Sequence, residues 1–215
     1  PAMRRTLLEL RACTEGMRAA GYWVAHLLDQ AEHQVSAVEC QRAQQLAELL
    51  TPVIKAFFTE QGFCLASNAL QVFGGYGYVH EFAIEQTLRD SRIAMIYEGS
   101  NEIQANDLLL RKVLGDKGQV FSQWLNVMCE EATQALTVPD CCGFGTELAV
   151  LCDKLADVVD AISKRAVEEG EYPYRVAGDF LQLCGLALLG FAWTRAARVS
   201  RGLVATDPLR ACKLQ

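Results

Sequence analysis

At 215 residues, with 51% of them apolar and five prolines, the chain can bury one good core or two smaller ones. Its few β-branched runs argue against a sheet protein and for an all-α body. A formal charge of −6 excludes the basic footprint that nucleic acid or an anionic membrane selects, which leaves proteins and a small molecule as the expected partners.

In chain order, the first helical pattern is the most regular. Met3, Leu7, Leu10, Thr14, Met17, Gly21, Val24, Leu28 and Ala31 step alternately by four and three. Such a heptad-like stripe predicts packing against partner helices at a shallow angle, with Thr14 and Gly21 as points of close approach. A linker is expected around His33 to Cys40, then a short amphipathic piece. Thr51 followed by Pro52 reads as an N-cap with proline in the first turn. From there a helix carries Val53, Phe57, Phe58, Cys64, Leu65 and Leu70 to a stop at Gly74.

Gly74, Gly75 and Gly77 place three glycines in four positions directly after that helix. They permit positive φ and close approach of the backbone to a bound group, of which a phosphate or pyrophosphate is one kind. The spacing is not the dinucleotide fingerprint. Residues 78–90 are expected to form a connection in which Arg89 and Asp90 make a structural ion pair.

Glu98 follows, in the run Met95-Ile96-Tyr97-Glu98-Gly99-Ser100-Asn101-Glu102. Ile93, Met95 and Ile96 are expected to surround its carboxylate with low-dielectric neighbours. Burial of that kind penalises the ionised form and suits a catalytic base. Gly99 frees the backbone, Ser100 or Asn101 caps the next helix, and Asn101 with Gln104 has capping-box spacing. That helix is expected to end near Val113, with Gly115 as its stop.

Beyond Gly115 three amphipathic segments, about 117–136, 147–169 and 174–202, are separated by the turn signals at 139–145 and 170–173. They predict an appended helical unit. Its most apolar stretch, Leu183 to Trp193, is short for a bilayer and reads as a core helix. The nine cysteines sit mostly among Leu, Ala and Val, as small hydrophobes of a reducing compartment do. His26, His33 and His80 lack i, i+4 spacing and no histidine accompanies Cys141-Cys142, so no metal site is expected.

Three motifs stand in fixed order: Gln71-Val-Phe-Gly-Gly, Leu88-Arg-Asp90 and Ile96-Tyr-Glu98-Gly-Ser-Asn-Glu-Ile-Gln104. From Gln71 to Val113 the chain resembles the C-terminal helical domain of the acyl-CoA dehydrogenases. Residues 1–70 fit more weakly, through their helix pattern and Lys55-Ala56-Phe57, and residues 116–215 look like a helical region that only some members carry. The resemblance implies an up-and-down helical bundle over 1–115 and an appended helical region over 116–215, which would cover a subunit interface or narrow the substrate mouth.

The chemistry implied is oxidation of an acyl-CoA thioester to the 2,3-enoyl-CoA, with FAD accepting the hydride. By resemblance Glu98 is the base that removes the α-proton, and its backbone N–H helps to polarise the thioester carbonyl. Tyr97 and Gly99 would shape the acyl pocket. Gln71, Gly74 and Gly75 would line the adenosine-diphosphate part of an FAD bound mainly by the neighbouring subunit, and Ser100 and Glu102 would lie close to the cofactor. Ser100 stands where the family more often has threonine.

Implied partners are an electron-transfer flavoprotein and further copies in a homodimer or homotetramer. The implied location is cytoplasmic, or the mitochondrial matrix in a eukaryote. An acyl-CoA oxidase of related fold and a non-enzymatic helical scaffold are the alternatives. The family's N-terminal helical domain and middle β-domain have no counterpart here and the sequence does not open on Met. The chain is therefore expected to be a fragment that binds FAD poorly and turns over little by itself.

Overall fold

Ser36 starts the helix on which the rest of the protein is assembled. In the computed structural model, which describes residues 2–204, its hydroxyl oxygen accepts from Glu39 N at 3.4 Å. Helix α1 (Ala2–His33) folds back through a three-residue link onto α2 (Ala37–Val72). Two short 3-10 turns, Gly74–Tyr78 and His80–Phe82, lead into α3 (Ile84–Ile93). Helix α4 (Asn101–Asn106) runs on into a π-helical stretch, Asp107–Leu114. Helices α5 (Gln119–Leu136), α6 (Cys142–Glu168) and α7 (Tyr172–Val204) complete an all-α bundle with no strand among the described residues.

The link falls within the expected His33 to Cys40, but α2 is unbroken where a short piece and a new start at Thr51 were expected. Thr51 is no N-cap, because its hydroxyl donates back to Ala47 O at 2.7 Å. Pro52 lacks the N–H that would meet the carbonyl of Glu48. The ammonium of Lys112, reaching across from the π-helical stretch, donates to that carbonyl instead. A tertiary donor thus satisfies the group that proline orphans, and the helix continues. Burial in that position pushes the Lys112 ammonium below its ordinary range.

The seam of α1 is also displaced from the expected stripe. Gly16, Ala20, Val24 and Leu27 are the buried positions, while Met3, Leu7 and Leu28 are about half exposed and Thr14 is exposed. The 4-4-3 spacing of these positions averages about 3.67 residues per turn, nearer the 3.6 of a straight helix than the 3.5 of a strict heptad. Close approach falls at Gly16, where an added Cβ would lie 2.5 Å from Trp193 Nε1, itself donating to Ala12 O at 3.2 Å.

The helical stretch stops at Leu114 with Gly115 as its C-cap, as expected; because Gly115 keeps right-handed angles, the chain reverses two residues on, at Lys117 (φ 57°) and Gly118 (φ 76°). Asp116 closes the turn, its carboxylate accepting from Gly118 N at 2.9 Å and Val120 N at 3.0 Å. Helix α6 begins five residues earlier than the pattern indicated. Gly145 lies so near α5 that a Cβ would meet Ala132 O at 2.7 Å, and Gly143, also read as a turn signal, is helical too, with nothing within 4 Å of a Cβ there. Pro173 does occupy the first turn of α7.

Buried side chains from α1, α2, α4 and α5 to α7 form one continuous core. Helix α7 touches α1, α2, α4, α5 and α6, which is why it is apolar over more than Leu183–Trp193. Tyr172–Arg201 is long and apolar enough to cross a membrane by length and composition, yet half of its most apolar window is buried inside the bundle. Cys141, Cys152 and Cys184 are buried as expected, whereas Cys64 is exposed; Cys212 lies outside the described residues. Burial pushes the Cys184 thiol up, and burial with the neighbouring Cys129 takes Cys152 to about 12.

Helix α7 approaches α2 closely at Gly185, where a Cβ would sit 2.2 Å from the ring carbon Cγ of Phe57. Gly185→Ala is expected to lower stability by about 1–3 kcal/mol through overpacking. Urea unfolding of residues 1–215 measures it, and an unchanged midpoint would contradict the close approach.

Candidate functional site

Helix α3 occupies part of the stretch expected to be a connection, and it carries Arg89 and Asp90. Residues one apart on a helix do not face each other, so the expected ion pair is not made. Gln86 bridges them instead: its Nε2 donates to Asp90 Oδ1 at 2.6 Å, and its Oε1 accepts from Arg89 Nη2.

Past α3 the chain tightens and reverses. Ile96 N and Tyr97 N both donate to Ile93 O, at 2.9 and 3.1 Å. Glu98 (φ 54°) and Gly99 (φ 86°) then take successive left-handed conformations, and Asn101 N returns to Met95 O at 3.3 Å. A glutamate in that region costs on the order of 1–2 kcal/mol, so the conformation persists only if its surroundings impose it.

Two side chains impose it. Gln104 Nε2 donates to the Glu98 carbonyl at 3.2 Å. From α2, Lys55 Nζ donates to the Gly99 carbonyl at 2.6 Å and to Asn101 Oδ1 at 3.2 Å. Asn101 Nδ2 donates to Ala56 O at 3.1 Å, and the Thr59 hydroxyl, bonded to Lys55 O at 2.8 Å, lies 3.2 Å from Asn101 Oδ1. The expected capping box is therefore absent. Asn101 turns its amide to partners on α2, and Gln104 holds the turn before the helix rather than its start. From the sequence Gln104 was read only as a capping-box partner and Lys55 only as part of Lys55-Ala56-Phe57, neither as a holder of this turn, although Lys55 and Thr59, four apart in and just after the apolar run Val53–Phe58, were a legible polar pair.

The carboxylate itself is not enclosed by the described residues. Glu98 is exposed, and Ile93 and Ile96, expected to wall it in, are 56% and 53% exposed. Met95 is half-buried, its sulfur accepting from Arg92 Nη1 at 3.1 Å. The apolar side chains of the turn point outward, where no described element covers them. Among the described residues the Glu98 N–H has no protein acceptor, which leaves it open to an oxygen of a bound group. Glu102, in the first turn of α4, has its carboxyl held below the ordinary range by its own backbone N–H and then by the Ser100 hydroxyl.

Tyr97, Glu98, Gly99, Ser100 and Glu102 thus share one turn. Gln71, Gly74 and Gly75 do not join them: sixteen residues of α2 separate Lys55 from Gln71, about 24 Å at 1.5 Å per residue. Gly74 (φ 59°) and Gly75 are exposed, and nothing lies within 4 Å of a Cβ at either. This bare backbone at the end of α2 has the room a cofactor's phosphates or ring would need. Gly77 serves packing, since a Cβ there would meet Leu70 O at 2.5 Å. Around these two groups Phe73, Tyr76, Tyr78, Val79, Phe82 and Ile103 are exposed apolar side chains as well.

The sequence model of the acyl-CoA dehydrogenase C-terminal domain matches residues 1–112. The 3-methylmercaptopropionyl-CoA dehydrogenase of Ruegeria pomeroyi is 44% identical over 128 residues, 60% of this chain and 22% of that protein. The broad-specificity linear acyl-CoA dehydrogenase FadE5 of Mycobacterium tuberculosis is 37% identical over 119 residues, 55% of this chain and 20% of that one. The matched part is about a fifth of either relative's length. Caenorhabditis elegans ACDH-11, solved in complex with C11-CoA, superimposes with a TM-score of 0.73 at 20% identity over 92% of this chain and 33% of that chain. That likeness of fold extends through α5 to α7.

Proposed function

The chain belongs to the acyl-CoA dehydrogenase family, and on that premise we propose that it is the C-terminal part of an FAD-dependent enzyme that dehydrogenates an acyl-CoA thioester, with Glu98 as the base. The observation that carries this reading is the held left-handed pair Glu98–Gly99. A loop glutamate with no task has no reason to be kept in a conformation that costs free energy and takes two side chains to maintain. The Glu98 carboxylate takes the proton α to the thioester, and its N–H donates to the thioester carbonyl as negative charge grows there. Bound FAD supplies the acceptor for the hydride that leaves the β-carbon.

Tyr97 and Gly99 border the acyl group, and Ser100 and Glu102 stand on the cofactor side of the turn. The exposed apolar surface from Phe73 to Ile103 is where the rest of the protein covers Glu98 and dries it, since these residues account for about a fifth of a relative's length. The separation of about 24 Å along α2 supports a second part of the reading. Gln71, Gly74 and Gly75 line the adenosine-diphosphate part of an FAD held mainly by a second copy, in a homodimer or homotetramer. Electrons pass to an electron-transfer flavoprotein, in the cytoplasm or the mitochondrial matrix.

The full-length protein is expected to show flavin absorbance that bleaches when an acyl-CoA is added without oxygen, and to reduce a dye while consuming little oxygen. Purified protein without flavin bands, or with flavin that no acyl-CoA bleaches, would overturn the proposal. Residues 1–215 alone are expected to retain little flavin and to turn over negligibly, measured by the same two signals.

A further inference from the structure

We infer that Lys55 is the positioning residue of the site, setting the direction of the Glu98 side chain through the Gly99 carbonyl; this rests on Glu98 being the base. The direction of the Glu98 Cα–Cβ bond depends on the peptide planes that follow it. Gln104 holds the plane between residues 98 and 99 through the Glu98 carbonyl, and Lys55 holds the plane between 99 and 100 through the Gly99 carbonyl. Gly99, with no side chain, would otherwise let that second plane swing.

The bond from Lys55 is the shorter of the two, 2.6 Å against 3.2 Å, and charge-assisted, whereas Gln104 offers a neutral amide. Packing alone does not call for a lysine here. Asn101 Nδ2 already ties the start of α4 to Ala56 O, and the half-buried Lys55 exchanges water for the Gly99 carbonyl and Asn101 Oδ1, an exchange that an apolar side chain would not require. What the lysine adds is a donor that reaches the turn from a rigid helix.

Lys55→Met in the full-length enzyme is expected to lower kcat by about 10²-fold, the effect of a small misplacement of a reacting group, with KM and flavin content nearly unchanged. Hydrogen exchange should quicken in residues 98–101 and stay unaltered along the rest of α2. Lys55→Arg, which keeps charge and donors, should recover part of kcat. Asn101→Ala, which leaves the Gly99 bond in place, should lose less than Lys55→Met, and it decides the matter if the methionine variant fails to fold: a loss larger than that of Lys55→Arg overturns the inference. Full kcat in Lys55→Met beside an inactive Glu98→Gln would overturn the inference and leave Glu98 as the base. Lost kcat with unaltered exchange at 98–101 would also overturn it. An active Glu98→Gln removes both.

Discussion

Glu98→Gln in the full-length protein is expected to keep its flavin and lose α-proton removal. The substitution changes no atom that holds the turn, because Gln104 grips the Glu98 carbonyl and Lys55 grips that of Gly99. The amide has the shape of the acid without a basic lone pair at neutral pH, so the general-base contribution, about 10²–10⁴ in rate, is what disappears. Two readouts isolate it: turnover with an acyl-CoA, and exchange of the substrate's α-proton with deuterated solvent. Flavin absorbance should stay at the unsubstituted level. Turnover within a few fold of the original would remove Glu98 from the mechanism, and a helical scaffold would be indifferent to the change altogether.

Arg198→Met is expected to be strongly destabilising, and for a reason unrelated to the site. Glu131 on α5 is 5% exposed, and Arg198 on α7 meets it with two parallel bonds of 2.5 and 2.9 Å. The carboxylate in turn holds the guanidinium above its ordinary range. Removing the guanidinium leaves a carboxylate inside the core without its partner, which costs about 3–5 kcal/mol. For a domain of this size that corresponds to a fall in Tm of roughly 2–4 °C per kcal/mol. Adding Glu131→Leu should restore most of the loss, since an apolar pair of similar volume fills the same space without a charge to solvate. A single variant as stable as the parent would mean that water reaches the pair freely.

These two sites differ in how far they were legible. The motif around Glu98 could be read through its resemblance to a known family, and Gly99 because glycine accepts φ near +86° without strain. The Glu131–Arg198 pair could not. Sixty-seven residues separate its members, and nothing in either segment tells a buried Glu or Arg from the exposed ones around it.

Local sequence signals by themselves determined that the chain is helical and that it is interrupted around His33 to Cys40, after Gly74, at Gly115 and near 139–145 and 170–173, while the weight on Glu98 came from the resemblance of its motif. These are local properties: 3.6-residue patterning, glycines and prolines act within a few residues of where they stand. Only the tertiary structure decided that Pro52 lies inside a continuous helix, that α1 packs along Gly16–Ala20–Val24, and that Asn101 faces α2 instead of capping α4. Each of those outcomes turns on a partner far along the chain, Lys112 for the Glu48 carbonyl, Trp193 for Gly16, Lys55 and Ala56 for Asn101. A donor or a ring arriving from elsewhere outweighs a local preference worth about 1 kcal/mol, and which one arrives is fixed by how the helices stack.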